Sequence, residues 1–169
     1  VQPWQVLLAS GSACTDLKQK MHGAFMHGQN MNPDFSALPK FEGVMRNRQV
    51  ECAQALYGAM GIERTDKIAR MKATARNYEF FDAPHVLFIA MNKDFSPAIA
   101  VDVGMYAQTL MLLMTAHGIG SCAQASTAYY PNIVRDFFEV DDDMGILFGI
   151  SFGYEDVSIS ANTARTSRA

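Results

Sequence analysis

The chain has 169 residues, 49% of them hydrophobic and 18% charged, with a formal charge of −3. That length suits one domain burying well over half of its unfolded surface. The mild acidity, with no run of five basic residues, excludes a nucleic-acid tract and a general attraction to anionic membranes.

In chain order, VQPWQVLLAS (1–10) reads as a buried strand through Val6, Leu7 and Leu8, framed by Trp4 and Ala9. GSACTDLKQK (11–20) has a small-residue start followed by helix formers, with Ser12 or Thr15 as the cap. Residues 27–43, rich in Gly, Asn and Pro and without periodicity, form a long excursion of the kind that serves as a lid. Helical spacing returns over 45–63 through Val50, Ala53, Leu56, Tyr57 and Met60. A further helix follows over 65–81, capped by Thr65 or Asp66.

The period then changes. APHVLFIAMNK (83–93) is a short continuous apolar run, as in a strand buried on both faces. Residues 96–120 form a long helix, apolar on nearly every side and closed by Gly118, which has to be buried centrally or in a subunit interface. Its apolar core, 103–116, is shorter than the roughly 20 residues of a membrane span and is interrupted by Gln108 and Thr109. SCAQAS (121–126) reads as a connection, 129–140 as a helix with Pro131 in its first turn, and 146–152 as a third strand. The expected architecture is α+β, a single domain over 1–169 with a central mixed sheet wrapped by helices.

Few constellations carry chemistry of their own. Cys14, Cys52 and Cys122 are odd in number and lack a C-x-x-C, so no disulfide framework or cysteine zinc site is read. Cys122 is expected to be a buried structural thiol. His22, His27, His85 and His117 lack ligand spacing, and no metal is expected. Asp141, Asp142 and Asp143 read as a solvated turn. No Walker loop, G-x-G-x-x-G or nucleophile elbow occurs. No signal peptide is apparent at the start, and reduced thiols point to a soluble cytoplasmic protein. In the tail, Asn162, Arg165 and Arg168 stand three apart, which lets two guanidiniums and an amide converge on one anion.

Four stretches in order resemble the nitroreductase family of flavin-dependent oxidoreductases: QPWQVLLAS (2–10), NYEFFDAPHVLFIAM (77–91), HGIGSCAQAS (117–126) and GYEDVSISANTARTSRA (153–169). The resemblance implies a nitroreductase-like fold, a homodimer, and FMN at the subunit interface. It also implies that the family's preceding phosphate-binding segment and a C-terminal extension lie outside this sequence. Gln2, Pro3 and Trp4 match the loop bordering the flavin ring and ribityl chain. Ala123, Gln124, Ala125 and Ser126 match the loop over the isoalloxazine near N5. Arg168 and Arg165 match the phosphate-holding positions, with Thr166 where some relatives have Lys.

Physical chemistry agrees with these placements. Small side chains let a planar ring approach the backbone, whose N–H groups then tune it, and arginines grip a phosphate bidentately. The implied activity is hydride transfer from NAD(P)H to flavin N5, then ping-pong reduction of a nitroaromatic or quinone. No side chain is read as a catalytic acid or base. Phe25, Phe35 and Phe41 are expected to shape acceptor choice from the lid. The alternatives are a flavin-binding or interaction module without turnover, or a relative acting on enones or halogenated aromatics.

Overall fold

The computed structural model describes residues 1–35 and 39–166. They form two compact units, the described residues of the first lying within 1–36 and 75–154 and those of the second within 37–74 and 155–169.

The first unit is built on a four-stranded sheet of β1 (Trp4–Ser10), β2 (His85–Asn92), β3 (Gly120–Gln124) and β4 (Met144–Gly153). The strand order is β1-β2-β4-β3, and every pairing is antiparallel. The α+β class therefore stands, but the sheet is not mixed among the described residues. Each connection between strands is long enough to return the chain to either end, so sequence alone does not set strand direction.

β2 explains the two-layered core. Val86, Phe88 and Ala90 join a cluster with Leu7, Leu17, Met21, Tyr78 and Val134, whereas Leu87, Ile89 and Met91 join Val103, Ala107, Met114 and Ile150. The alternation of a strand sends successive side chains to opposite faces. This is the both-sided burial that the run at 83–93 predicts. Helices α1 (Gly11–Met26) and α5 (Pro131–Phe138) cover the first face. The second is covered by α4 (Ile99–Ala116).

Several elements depart from expectation. β1 is an edge strand whose Leu7 and Ala9 are buried while Val6 and Leu8 are exposed. α1 starts after Ser10 and runs on to Met26, burying Cys14, Leu17, Met21 and Ala24 at spacings of three and four. Thr15 lies inside it, its hydroxyl donating to the Gly11 carbonyl at 3.2 Å. SCAQAS is not merely a connection: Gly120–Gln124 pairs with β4, because a run of small residues can offer its backbone to an open sheet edge without β-branched side chains.

α4 is 18 residues long with a mean hydropathy of 1.4, enough by length and composition to cross a membrane. That overturns the length argument made from residues 103–116. Its Val103, Ala107 and Met114 nonetheless pack with the sheet as a core helix does, while Val101, Met105, Leu112 and Leu113 are exposed. Gly118, at φ +72, ends it as predicted, with the Ile119 N–H donating to the Met114 carbonyl at 2.9 Å.

The second unit contains α2 (Gly43–Ala59), most of α3 (Lys67–Ala75) and a 3₁₀ turn at Ser160–Thr163. Asp66 caps α3 as expected, accepting from the Ala69 N–H at 2.8 Å. The helix stops at Ala75 rather than near 81. Phe80, Phe81 and Asp82 instead turn with positive φ, a left-handed excursion unusual for three consecutive non-glycine residues. Arg76 braces the turn through Glu79 and Asp82 at 2.9 and 2.7 Å.

Candidate functional site

The segment after α4 places small residues at the surface and polar ones beneath them. Ala123 and Ala125 are exposed and Ser126 is half-buried, while Gln124 and Thr127 between and after them are buried. The split falls where β3 ends at Gln124 and the chain enters a 3₁₀ turn at Ala125–Tyr129, which turns Thr127 inward. The side chains exposed here are the methyl groups of Ala123 and Ala125. Beneath them, the Thr127 hydroxyl donates to the Gln124 carbonyl at 2.8 Å. Gly149 of β4 makes that possible, since a Cβ there would stand 2.7 Å from the Thr127 oxygen.

Gln2 and Trp4 line a separate open groove of about 300 Å³ with Asp102, Met105, Tyr106 and Thr109 of α4. Trp4 and Tyr106 stack with centroids 4.5 Å apart, forming an aromatic wall. Pro3 is half-buried beside them. Sheet order keeps this groove away from the 123–126 segment. β1 and β3 are opposite edges with two strands between them, roughly 14 Å across the sheet. The sequence brought these residues under one motif set, and within one chain they do not share a cleft.

Arg165 belongs to the second unit, where it lines a shallow depression with Glu155, Val157, Asn162 and Thr163. It donates to the carbonyls of Asn162 and Ala164 and lies 3.9 Å from the Glu155 carboxylate. Arg168 lies outside the described residues.

The aromatics expected on a lid, Phe25, Phe35 and Phe41, are half-buried. Phe25 stacks on Tyr78 at 4.7 Å, and Phe35 packs into the α4-side core against Gly145. The excursion up to Phe35 is fastened by Asp34, a residue not singled out from sequence. Its carboxylate, 5% exposed, accepts from Arg135, from Lys93 at 3.1 Å and from the Ile146 N–H at 2.9 Å. Burial pushes the Asp34 pKa up, but these donors outweigh it and hold the carboxyl below its usual range. Residues 36–38 of the excursion lie outside the described residues.

Cys122 is exposed on β3 rather than buried, because β3 is the last strand of the sheet. Desolvation around its sulfur still raises the thiol pKa, which disfavours a reactive thiolate. The histidines have ordinary partners: His27 meets the Gly23 carbonyl at 2.7 Å and His85 the Ser10 hydroxyl at 2.9 Å. Among the described residues no three metal-ligating side chains converge. Asp143, one of the expected solvated turn, accepts from the Asn92 amide at 2.9 Å.

Asn77 opens the stretch 77–91 but is not marked as a site residue by the sequence. It accepts hydrogen bonds from Gln124 and Ser126, which are 47 and 49 residues away in sequence, so no local signal marks it.

A profile of the nitroreductase family matches residues 1–154. Nitroreductase NfnB of Mycolicibacterium smegmatis is 37% identical over 169 residues, which span 99% of this chain and 71% of that protein. A 4-nitrobenzoate reductase of Pseudomonas putida is 28% identical over 168 residues, 99% of this chain and 73% of its own. The crystal structure of the FMN-dependent nitroreductase NfnB from Mycobacterium smegmatis in complex with NADPH superposes with a TM-score of 0.94, covering 100% of this chain and 76% of that one. With the α+β fold, the small-residue segment and the aromatic groove in place, this chain belongs to the nitroreductase family.

Proposed function

We propose that this chain is the body of an FMN-dependent NAD(P)H oxidoreductase that reduces nitroaromatic or quinone acceptors in ping-pong order. The observation that carries the reading is the small, exposed Ala123 and Ala125 beside half-buried Ser126, in a fold shared with an FMN-dependent nitroreductase. The residues of 123–126 suit the flavin ring, with small side chains that admit a planar group and peptide N–H groups for its acceptor atoms. Bound there, FMN supplies the two-electron exchange between reduced nicotinamide and acceptor. For a nitroarene the balance is R–NO₂ + NAD(P)H + H⁺ → R–NO + NAD(P)⁺ + H₂O. The chain's part is to hold the ring, keep one face open and set donors around it.

The functional unit is a homodimer with the flavin at its interface. Two features support this. The groove of Gln2 and Trp4 and the segment 123–126 lie on opposite sheet edges, so a second copy is needed to bring one of each together. Val101, Met105 and Leu112 of α4 form an exposed apolar stripe at helical spacing that a partner helix would cover.

Purified protein supplied with FMN should be yellow and be bleached anaerobically by NADPH or NADH. Adding 4-nitrobenzoate, the compound named in relatives, should restore the colour. Protein that takes up no FMN, or whose flavin neither nucleotide reduces, would overturn the proposal.

A further inference from the structure

The exposed side chains of the segment 123–126 are too small to anchor it. They are alanines, with a half-buried serine beside them, and residues that fix the geometry of a ring have to be held to within about 0.5 Å. The anchor lies underneath. Gln124, 3% exposed, donates through Nε2 to the backbone carbonyl of Asn77 at 2.9 Å and reaches its Oδ1 at 3.5 Å. The Ser126 hydroxyl donates to the same Oδ1 at 3.1 Å. One residue thus holds both ends of a three-residue stretch.

Two further observations single this contact out. The Gln124 Oε1 is buried with no partner among the described residues. An apolar side chain would fill the place at lower cost, so the amide's value lies in its bond to Asn77. Asn77 itself cannot drift. It is followed by the buried Tyr78 and Phe80 and by the left-handed turn at 80–82, and preceded by Arg76, which ties that turn to itself through Glu79 and Asp82.

We propose that Asn77 is the positioning residue of the flavin-facing segment: through Gln124 and Ser126 it fixes the backbone of 123–126 and thereby sets the redox behaviour of the bound flavin. This rests on the assignment of 123–126 to the flavin made above. Asn77 touches no cofactor in this scheme and acts only through the segment it clamps.

The test uses the full chain and four variants. Asn77→Leu removes the Oδ1 acceptor of the Ser126 bond at similar size and keeps the backbone carbonyl that Gln124 uses, Asn77→Asp keeps an acceptor, and Ser126→Ala removes the donor to Oδ1. Ala125→Pro deletes an N–H in the segment itself; Gln124 is extended, with φ −129 and ψ 99, as a residue before proline requires. In FMN-free protein, Asn77→Leu and Ser126→Ala should speed amide hydrogen exchange over 123–127 by about tenfold or more, with β4 unchanged. In FMN-loaded protein they should shift the flavin midpoint potential and slow anaerobic reduction by NADPH about tenfold, while FMN affinity changes less than about threefold. Asn77→Asp should restore the potential and the rate.

Unaltered exchange and potential in Asn77→Leu overturn the clamp, as does lost thermal stability with an unchanged potential. Should Asn77→Leu not fold, exchange and potential in Ser126→Ala decide the matter in the same way. If Ala125→Pro moves the potential and Asn77→Leu does not, only the clamp fails. If Ala125→Pro changes neither potential nor FMN affinity, the assignment of the segment to flavin fails with it.

Discussion

Asp34 and Arg135 form a buried ion pair in the first unit. Both are almost wholly buried, and Arg135 also donates to the Asn132 side chain and the Met144 carbonyl. Removing one partner of such a pair strands the other charge. Asp34→Ala should therefore cost about 3–5 kcal/mol, read as a lowered urea midpoint with an unchanged slope. The pH dependence follows from the direction of the shift. The folded-state pKa of Asp34 is depressed below the ordinary value of 3.8, so its contribution is complete above that value and is lost as pH falls through the folded-state pKa. Asp34→Asn should flatten the acid limb of a stability-against-pH curve. An unchanged acid limb would show that other carboxylates control it.

Among the elements, β4 shows how glycine serves packing rather than turning. A Cβ at Gly145, Gly149 or Gly153 would stand 2.6, 2.7 or 2.7 Å from Phe35, Thr127 or Pro84 respectively. Each glycine admits a group from a neighbouring segment onto the strand. Gly149→Ala meets a buried hydroxyl that also holds the Gln124 carbonyl, so it should destabilise the protein by about 1–3 kcal/mol. Thermal unfolding measures the loss, and faster amide exchange over 123–127 would place it at the proposed flavin segment. The strand β3 and the left-handed turn at 80–82 were illegible for a related reason. Both are stabilised by partners distant in sequence: β3 by the open edge of β4, and the turn partly by Lys18, 3.9 Å from Asp82.

At the scale of the whole molecule, α4 is the element whose composition and burial disagree. Its sequence is apolar all round, yet one chain buries little more than a single line of it. If the exposed stripe is the subunit interface, Leu112→Glu with Met105→Glu should halve the apparent mass in sedimentation velocity and abolish FMN retention together. A variant that stays the same size, or halves while keeping FMN, would separate the stripe from the site.

Local pattern was enough for what depends on neighbours along the chain. The continuous apolar run of β2, the glycine stop after α4, the Asp66 cap and the proline opening α5 were all legible, because each is a matter of backbone preference or side-chain period over a few residues. Motif order likewise carried the family. Tertiary structure decided the rest: which edge β3 joins, which residue supports Gln124, how Asp34 fastens an excursion that reads as a lid, and that Trp4 and Ala125 lie on opposite sides of one sheet. Those facts rest on contacts between segments tens of residues apart, where pairing energy is gained only once the chain has closed, and no short window of sequence records it.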